Sequence, residues 1–296
     1  MAHLNLKQQK EYRNNGLLVI RDAIPLGVIK DFIDVLKAVV DSETREMYSN
    51  KKISDLYLTE PFSTRWYKAW NEHGGEPEYR TWHAPIFGKP LYDLMTHQAI
   101  LDVVKSLIGP EIQHNGDWLL RPKLPGKTTQ SIPWHQDSAY MVNTENYQWI
   151  TVWLPFVPVN QENGAMQLIP GTHKLPIQEH KEETETTTTP LKDPSINRKV
   201  IMPELEPGDF MIFHNHLFHR STTGHAPSVR WSMDFRFSPA GTPVDETLWF
   251  SEMNHLVAST KNPEKVASWT QIVALWEKSE QKNRIGQRTE ITQSSK

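Results

Sequence analysis

Hydrophobic positions follow a helical rhythm near the ends of this chain and an alternating one in the middle. After a polar start, GLLVIRDAIP (16–25) reads as a short strand closed by proline. LGVIKDFIDVLKAVVDSE then spaces Ile29, Phe32, Ile33, Leu36 and Val40 along one helix face. LYDLMTHQAILDVVKSLIG repeats that spacing and stops at Gly109. Between these helices lies an aromatic-rich stretch, Tyr57 to Phe87. From Glu111 the texture becomes short β-type runs punctuated by Pro and Gly: IQHNGDWLLRPKLPG, SIPWHQDSAYM, WITVWLPFVPV, GAMQLIPGTH, KVIMPELEPGDFMIFHNH and VRWSMDFRFSP. Such strands suggest an antiparallel sandwich or barrel. The polar run 179–197 interrupts them, too long and unpatterned for a tight hairpin; it is either an active-site lid or a solvated insertion. Helical periodicity returns through Val266, Trp269, Ile272, Val273 and Trp276, and the last residues look frayed.

Neither a repeat nor a linker breaks the pattern, so one domain over 1–296 is expected: a mainly helical framework (1–110), a β core (111–240) and a C-terminal helical segment (241–296). The fold class is mainly β with flanking helices. Composition narrows the chemistry. Eleven tryptophans and 38% hydrophobic residues supply a large core, and a net charge of -3 argues against a nucleic-acid partner. Cysteine is absent, which removes disulfides, thiolate sites and a cysteine nucleophile, so any metal must rest on His, Asp or Glu. With no apolar leader and no membrane-length segment, the expectation is a cytoplasmic protein with no membrane partner.

The segment IPWHQDSAYM sets His135 and Asp137 two residues apart. On a strand these positions share a face, so an imidazole and a carboxylate could meet one point. Alone the pair is weak, because the chain has thirteen histidines. A third ligand could come from His214, His216, His219 or His225. Beyond them, the strand RWSMDFRF carries Trp231, Met233, Phe235 and Phe237 on one face and Arg230, Ser232, Asp234 and Arg236 on the other. Such a strand has either one core face and one wet face, or a polar side lining a cavity.

WHQDSAY, VWLPFVPVNQENGAMQLIPGTHK, LEPGDFMIFHNHLFHRSTTGHA and RWSMDFRF, in that order, resemble the phytanoyl-CoA dioxygenase-like family of iron(II)- and 2-oxoglutarate-dependent oxygenases. The likeness spans about Trp134 to Pro239 and, more loosely, EYRNNGLLVIRDAIP. It implies a double-stranded β-helix core, a jelly-roll and cupin relative. It implies Fe(II) held by His135, Asp137 and His219, the last chosen over His216 because the family's distal HxS pattern matches His219-Arg220-Ser221. A triad of this kind leaves three metal positions open. The resemblance fills them with 2-oxoglutarate and dioxygen, with Arg230 as anchor of the distal carboxylate and Ser221 as its supporting donor. Gln136 and Trp153 match positions that contact the co-substrate, although Trp153 also suits a packing role. Succinate and carbon dioxide would be co-products, hydroxylation the usual outcome, and a carboxylate at Asp137 argues against halogenation.

The substrate is expected to be a small molecule, with walls from the aromatic stretch, the strand with Trp118 and Arg121, Tyr140 and its successors to Met141 and beyond, and the loop after His173. Arg236 could meet a substrate carboxylate, but an ion pair with Asp234 or another interior acid is preferred. No strong basic site for coenzyme A phosphates is evident, which favours a free acid, amino acid or natural-product scaffold. A homodimer is left open. Two other classes compete: a cupin-like metal- or ligand-binding protein without turnover, and a zinc hydrolase on the same two histidines and carboxylate.

Overall fold

The computed structural model describes residues 3–74, 83–126, 131–140, 147–184, 187–244 and 251–280. The polar start is a helix, α1 (Leu6–Asn15), which the hydrophobic pattern alone does not show because Tyr12 is its one buried side chain. A capping box defines it: Asn5 Oδ1 accepts from the Gln8 amide and Gln8 Oε1 accepts from the Asn5 amide. The helix ends at Gly16 (φ +76°), where a Cβ would stand 2.4 Å from the His173 ring, so both conformation and space demand glycine.

Strand β1 (Leu17–Ile20) and helix α2 (Leu26–Ser49) follow as expected, α2 burying Ile29, Phe32, Leu36 and Val40. The aromatic stretch contains α3 (Phe62–His73) and the short α4 (His83–Ile86); α5 (Lys89–Met95) and α6 (Gln98–Ile108) divide the second predicted helix in two. A C-terminal helix occupies 269–280, after Val266 rather than through it.

The β elements are β2 (Ile112–Lys123), β3 (Ile150–Pro155), β4 (Met166–Leu168), β5 (His180–Thr184), β6 (Thr187–Pro190), β7 (Phe210–His214), β8 (His219–Ser221), β9 (Arg230–Pro239) and β10 (His255–Ala258). Six form one antiparallel sheet in the order β1-β7-β3-β9-β2-β10, and β4 pairs with β8. Alternation along each strand divides its side chains between two interiors. Ile150, Val152 and Leu154 of β3, Phe210 and Ile212 of β7, and Trp231, Met233, Phe235 and Phe237 of β9 share a core with α2, α3 and α6. Trp153, Met211 and Phe213 point to the other side, where they pack with Met166, Leu168 and Leu217 around β4 and β8. The large sheet is therefore covered on both faces, by helices and by the small sheet. That is a curled jelly-roll with flanking helices, as expected.

Two local expectations are corrected. The polar run 179–197 holds a hairpin, β5 pairing antiparallel with β6, and its Thr188 amide donates to the Tyr140 hydroxyl at 3.0 Å. The segment around His135 is also no strand: His135 makes a single bridge, and Asp137–Tyr140 turn as a 3-10 helix.

Candidate metal centre and its cavity

His135 and His219 are cross-strand partners, although His135 lies outside any named strand. The His135 amide donates to the His219 carbonyl at 3.0 Å and the His219 amide returns the bond at 3.1 Å, which brings the imidazole centroids to 4.1 Å. The chain then turns into its 3-10 segment, and that turn swings the Asp137 carboxylate beneath both rings. Asp137 Oδ1 lies 3.4 Å from each Nε2. One ligand atom from each residue lies within 4.8 Å of the other two, the spacing of a common metal, and all three residues are buried.

Their orientation is fixed from behind. His135 Nδ1 lies 2.9 Å from the Pro133 carbonyl and His219 Nδ1 2.9 Å from the Leu217 carbonyl, so each Nδ1–H donates to backbone and each Nε2 keeps its lone pair for the centre. Burial, reinforced by His219, pushes the His135 imidazole down to about 4, so it is neutral at pH 7. Burial alone would raise the Asp137 carboxyl, but Arg236 and the two imidazoles outweigh it and hold the group well below its usual range. Thr151 Oγ1 donates to Asp137 Oδ2 at 2.7 Å. Two imidazole nitrogens and one ionised carboxylate are a donor set that suits Fe(II).

The same cavity receives the charged face of β9. Its walls include Trp66, Trp70, Ile132, Trp153, Met166 and Phe213. The β2–β9 register pairs Leu119 with Asp234, Arg121 with Ser232 and Lys123 with Arg230. The cavity-lining reading of RWSMDFRF therefore fits the structure better than a wet face. Arg236 is engaged internally: it contacts Asp117 at 2.6 Å, Asp234 at 3.3 Å and Asp137 at 3.6 Å, while Arg121 Nε meets Asp234 at 2.5 Å.

Arg230 differs. It is buried, its one hydrogen bond among the described residues goes to Ser232 Oγ at 2.5 Å, and its Nε has no partner there. Its guanidinium lies 5.6 Å from the Trp153 ring centroid, whose own Nε1 is also buried without a partner. Burial first, then Arg121, pushes the guanidinium down to about 9. An unsatisfied buried cation at a cavity wall is a fitting receptor for a carboxylate.

The residues singled out in the sequence separate here. His135, Asp137, His219, Ser221, Arg230 and Trp153 all line this cavity, whereas Gln136 does not. The Gln136 amide instead donates to the His216 carbonyl at 3.0 Å and its Oε1 accepts from the Gln178 amide at 2.8 Å, tying down the loop after His173. Trp66 and Trp70 carry the expected aromatic wall. The strand with Trp118 and Arg121 lines the cavity through Arg121, whereas Trp118 faces the helices and stacks on Phe87, and Tyr140 is tied to the β5–β6 hairpin. Met141 lies outside the described residues. Thr151, the contact of Arg236 with Asp137, and Lys123 are absent from the sequence-based set. The signal for them was weak: polar residues at alternate positions within otherwise apolar strands.

The phytanoyl-CoA dioxygenase family profile matches residues 12–231. The chain is 24% identical over 243 residues to the peroxisomal phytanoyl-CoA dioxygenase of Bos taurus, covering 80% of this chain and 69% of that protein. It is 26% identical over 164 residues to 1-deoxypentalenic acid 11-beta-hydroxylase of Streptomyces exfoliatus, covering 51% and 57%. Its fold is similar to that of the epimerase SnoN, whose structure is a complex with Fe3+, alpha-ketoglutarate and nogalamycin RO (TM-score 0.56, 17% identity, 83% of this chain and 88% of that one). The chain belongs to the phytanoyl-CoA dioxygenase family and is an enzyme of its iron- and 2-oxoglutarate-dependent oxygenase class.

Proposed function

We propose that this enzyme hydroxylates a C–H bond of a small, largely apolar organic molecule, with succinate and carbon dioxide as co-products. The observation that carries the reading is the pairing, within one cavity, of the His135–Asp137–His219 cluster with the unsatisfied Arg230 guanidinium. Bound iron with 2-oxoglutarate and dioxygen supplies the oxidising power for hydrogen abstraction. The chain's own groups hold and orient. His135, Asp137 and His219 hold the iron, and Thr151 and Arg236 keep the carboxylate ionised and aimed. Arg230 grips the distal carboxylate of 2-oxoglutarate, Ser221 donates beside it, and the Trp153 ring supports the guanidinium.

Trp66 and Trp70 of α3 line the cavity, so an apolar body excludes water there and keeps the reaction dry. Small molecules appear in the names of relatives too, 1-deoxypentalenic acid among them. A natural-product scaffold or free acid therefore suits this chamber.

The test is 2-oxoglutarate consumption over a panel of terpenoid, polyketide and carboxylic-acid candidates, with succinate and product followed by mass spectrometry. A product heavier by one oxygen, formed only with Fe(II) and 2-oxoglutarate, supports the assignment. Hydrolysis with Zn(II) alone would overturn it.

A further inference from the structure

The β2–β9 register sets a second cation opposite the arginine: Lys123 is the direct partner of Arg230. Both side chains are buried and both line the metal-centre cavity. Among the described residues, neither has a carboxylate within ion-pair distance, because Asp234, the acid on the same face of β9, is engaged by Arg121 and Arg236. A buried arginine and a buried lysine side by side without an acid call for an anion.

The hydrogen bonds point the same way. Lys123 Nζ donates to Ser221 Oγ at 2.9 Å, and the Ile132 amide donates to the same oxygen at 2.8 Å. These two bonds fill the hydroxyl's acceptor capacity, which leaves its O–H to donate. Lys123 thus orients Ser221. The lysine stem is seated against Gly164 (φ +90°), where an added Cβ would approach Lys123 Cδ to 3.3 Å and the Thr222 carbonyl to 2.9 Å.

We propose that Lys123 is a second anchor for the distal carboxylate of the 2-oxo acid, acting with Arg230 and through Ser221, and that it sharpens the preference for a dicarboxylic co-substrate. This rests on the cavity reading given under Proposed function. The charge balance is reasonable. Burial, then Arg230 and Arg121, push the free lysine down to about 6, so its amine is mostly neutral until an anion arrives and stabilises the protonated form. The groups facing it are Arg121 from its own strand, Arg230 from β9 and Ser221 from β8.

The experiment is an anaerobic titration of the Fe(II) enzyme with 2-oxoglutarate and, separately, with 2-oxopentanoate, which carries a methyl group in place of the distal carboxylate. Wild type, Lys123→Met and Lys123→Arg are compared by the visible charge-transfer band and by calorimetry. Methionine matches the stem and buries no charge, so the variant is expected to melt at or above the wild-type temperature. Lys123→Met is expected to weaken 2-oxoglutarate binding about ten-fold or more, the worth of a charge-assisted hydrogen bond. Its affinity for 2-oxopentanoate should be unchanged, and Lys123→Arg should recover part of the loss. Equal weakening toward both acids, or none toward either, would overturn the proposal. Failure of the wild type itself to bind 2-oxoglutarate would instead bring down the cavity reading beneath it.

Discussion

One strand, β9, borders two interiors. On the helix side Trp231, Met233, Phe235 and Phe237 are completely buried in an apolar core. On the other side Arg230, Ser232, Asp234 and Arg236 are nearly as buried, and all but the serine carry formal charge. Depth therefore does not separate structure from function in this sheet; the kind of compensation does. The apolar face is stabilised by transfer from water and close packing. The charged face is stabilised only where partners meet, as in Arg236 with Asp117, Asp234 and Asp137, and it is left incomplete at Arg230. That incompleteness is where a ligand gains most by arriving.

The sharpest break between the faces comes at the centre itself. Asp137→Ala should abolish turnover while leaving the far-UV circular dichroism and melting transition close to wild type, because the apolar face does not depend on it. Next in size is the opposite cut: Phe235→Ala should destabilise the fold by roughly 3–5 kcal/mol in urea unfolding, with iron affinity of the still-folded enzyme little changed. Arg236→Met probes the seam between them. It removes the guanidinium that Asp117, Asp137 and Asp234 share and should cost roughly 3–5 kcal/mol of stability and lower iron affinity together, read from unfolding and Fe(II) titration of the same sample. Thr151→Val removes only the hydrogen bond behind Asp137 and should lower iron affinity by about ten-fold, with unfolding unchanged.

The smallest effect is a slope with pH. Lys123 is near 6 in the free site, and binding of an anion beside it raises that value, so binding takes up a proton. 2-Oxoglutarate affinity should therefore fall as pH rises above 6, by no more than about ten-fold per unit. Isothermal calorimetry from pH 6 to 8 should show the part of this slope that Lys123→Met removes.

These faces were unequally legible in the sequence. Alternation in RWSMDFRF reveals both sides of β9, because a period of two survives whether the second side meets water or a cavity. The choice between those environments needed β2, whose Arg121 and Lys123 come opposite Ser232 and Arg230 only through long-range register. The His135–Asp137 spacing named the ligands by way of a family pattern, yet not their geometry, since a bridge and a 3-10 turn replace the imagined strand. Gln136 went astray for a related reason: the turn directs it to the loop at Pro176–Gln178. Helix α1 was missed because a capping box, rather than an apolar stripe, marks it.

The reciprocal backbone bonds between His135 and His219 bear on how this enzyme handles the loss of its metal. Peptide groups, not a cation, hold those two ligands together, so chelation need not untie the fold. The apoenzyme should be a folded, resting form that melts below the loaded one only by what metal binding adds, and regains activity on simple addition of ferrous iron. Such a protein can survive iron scarcity intact, in contrast to domains that unravel when their metal departs.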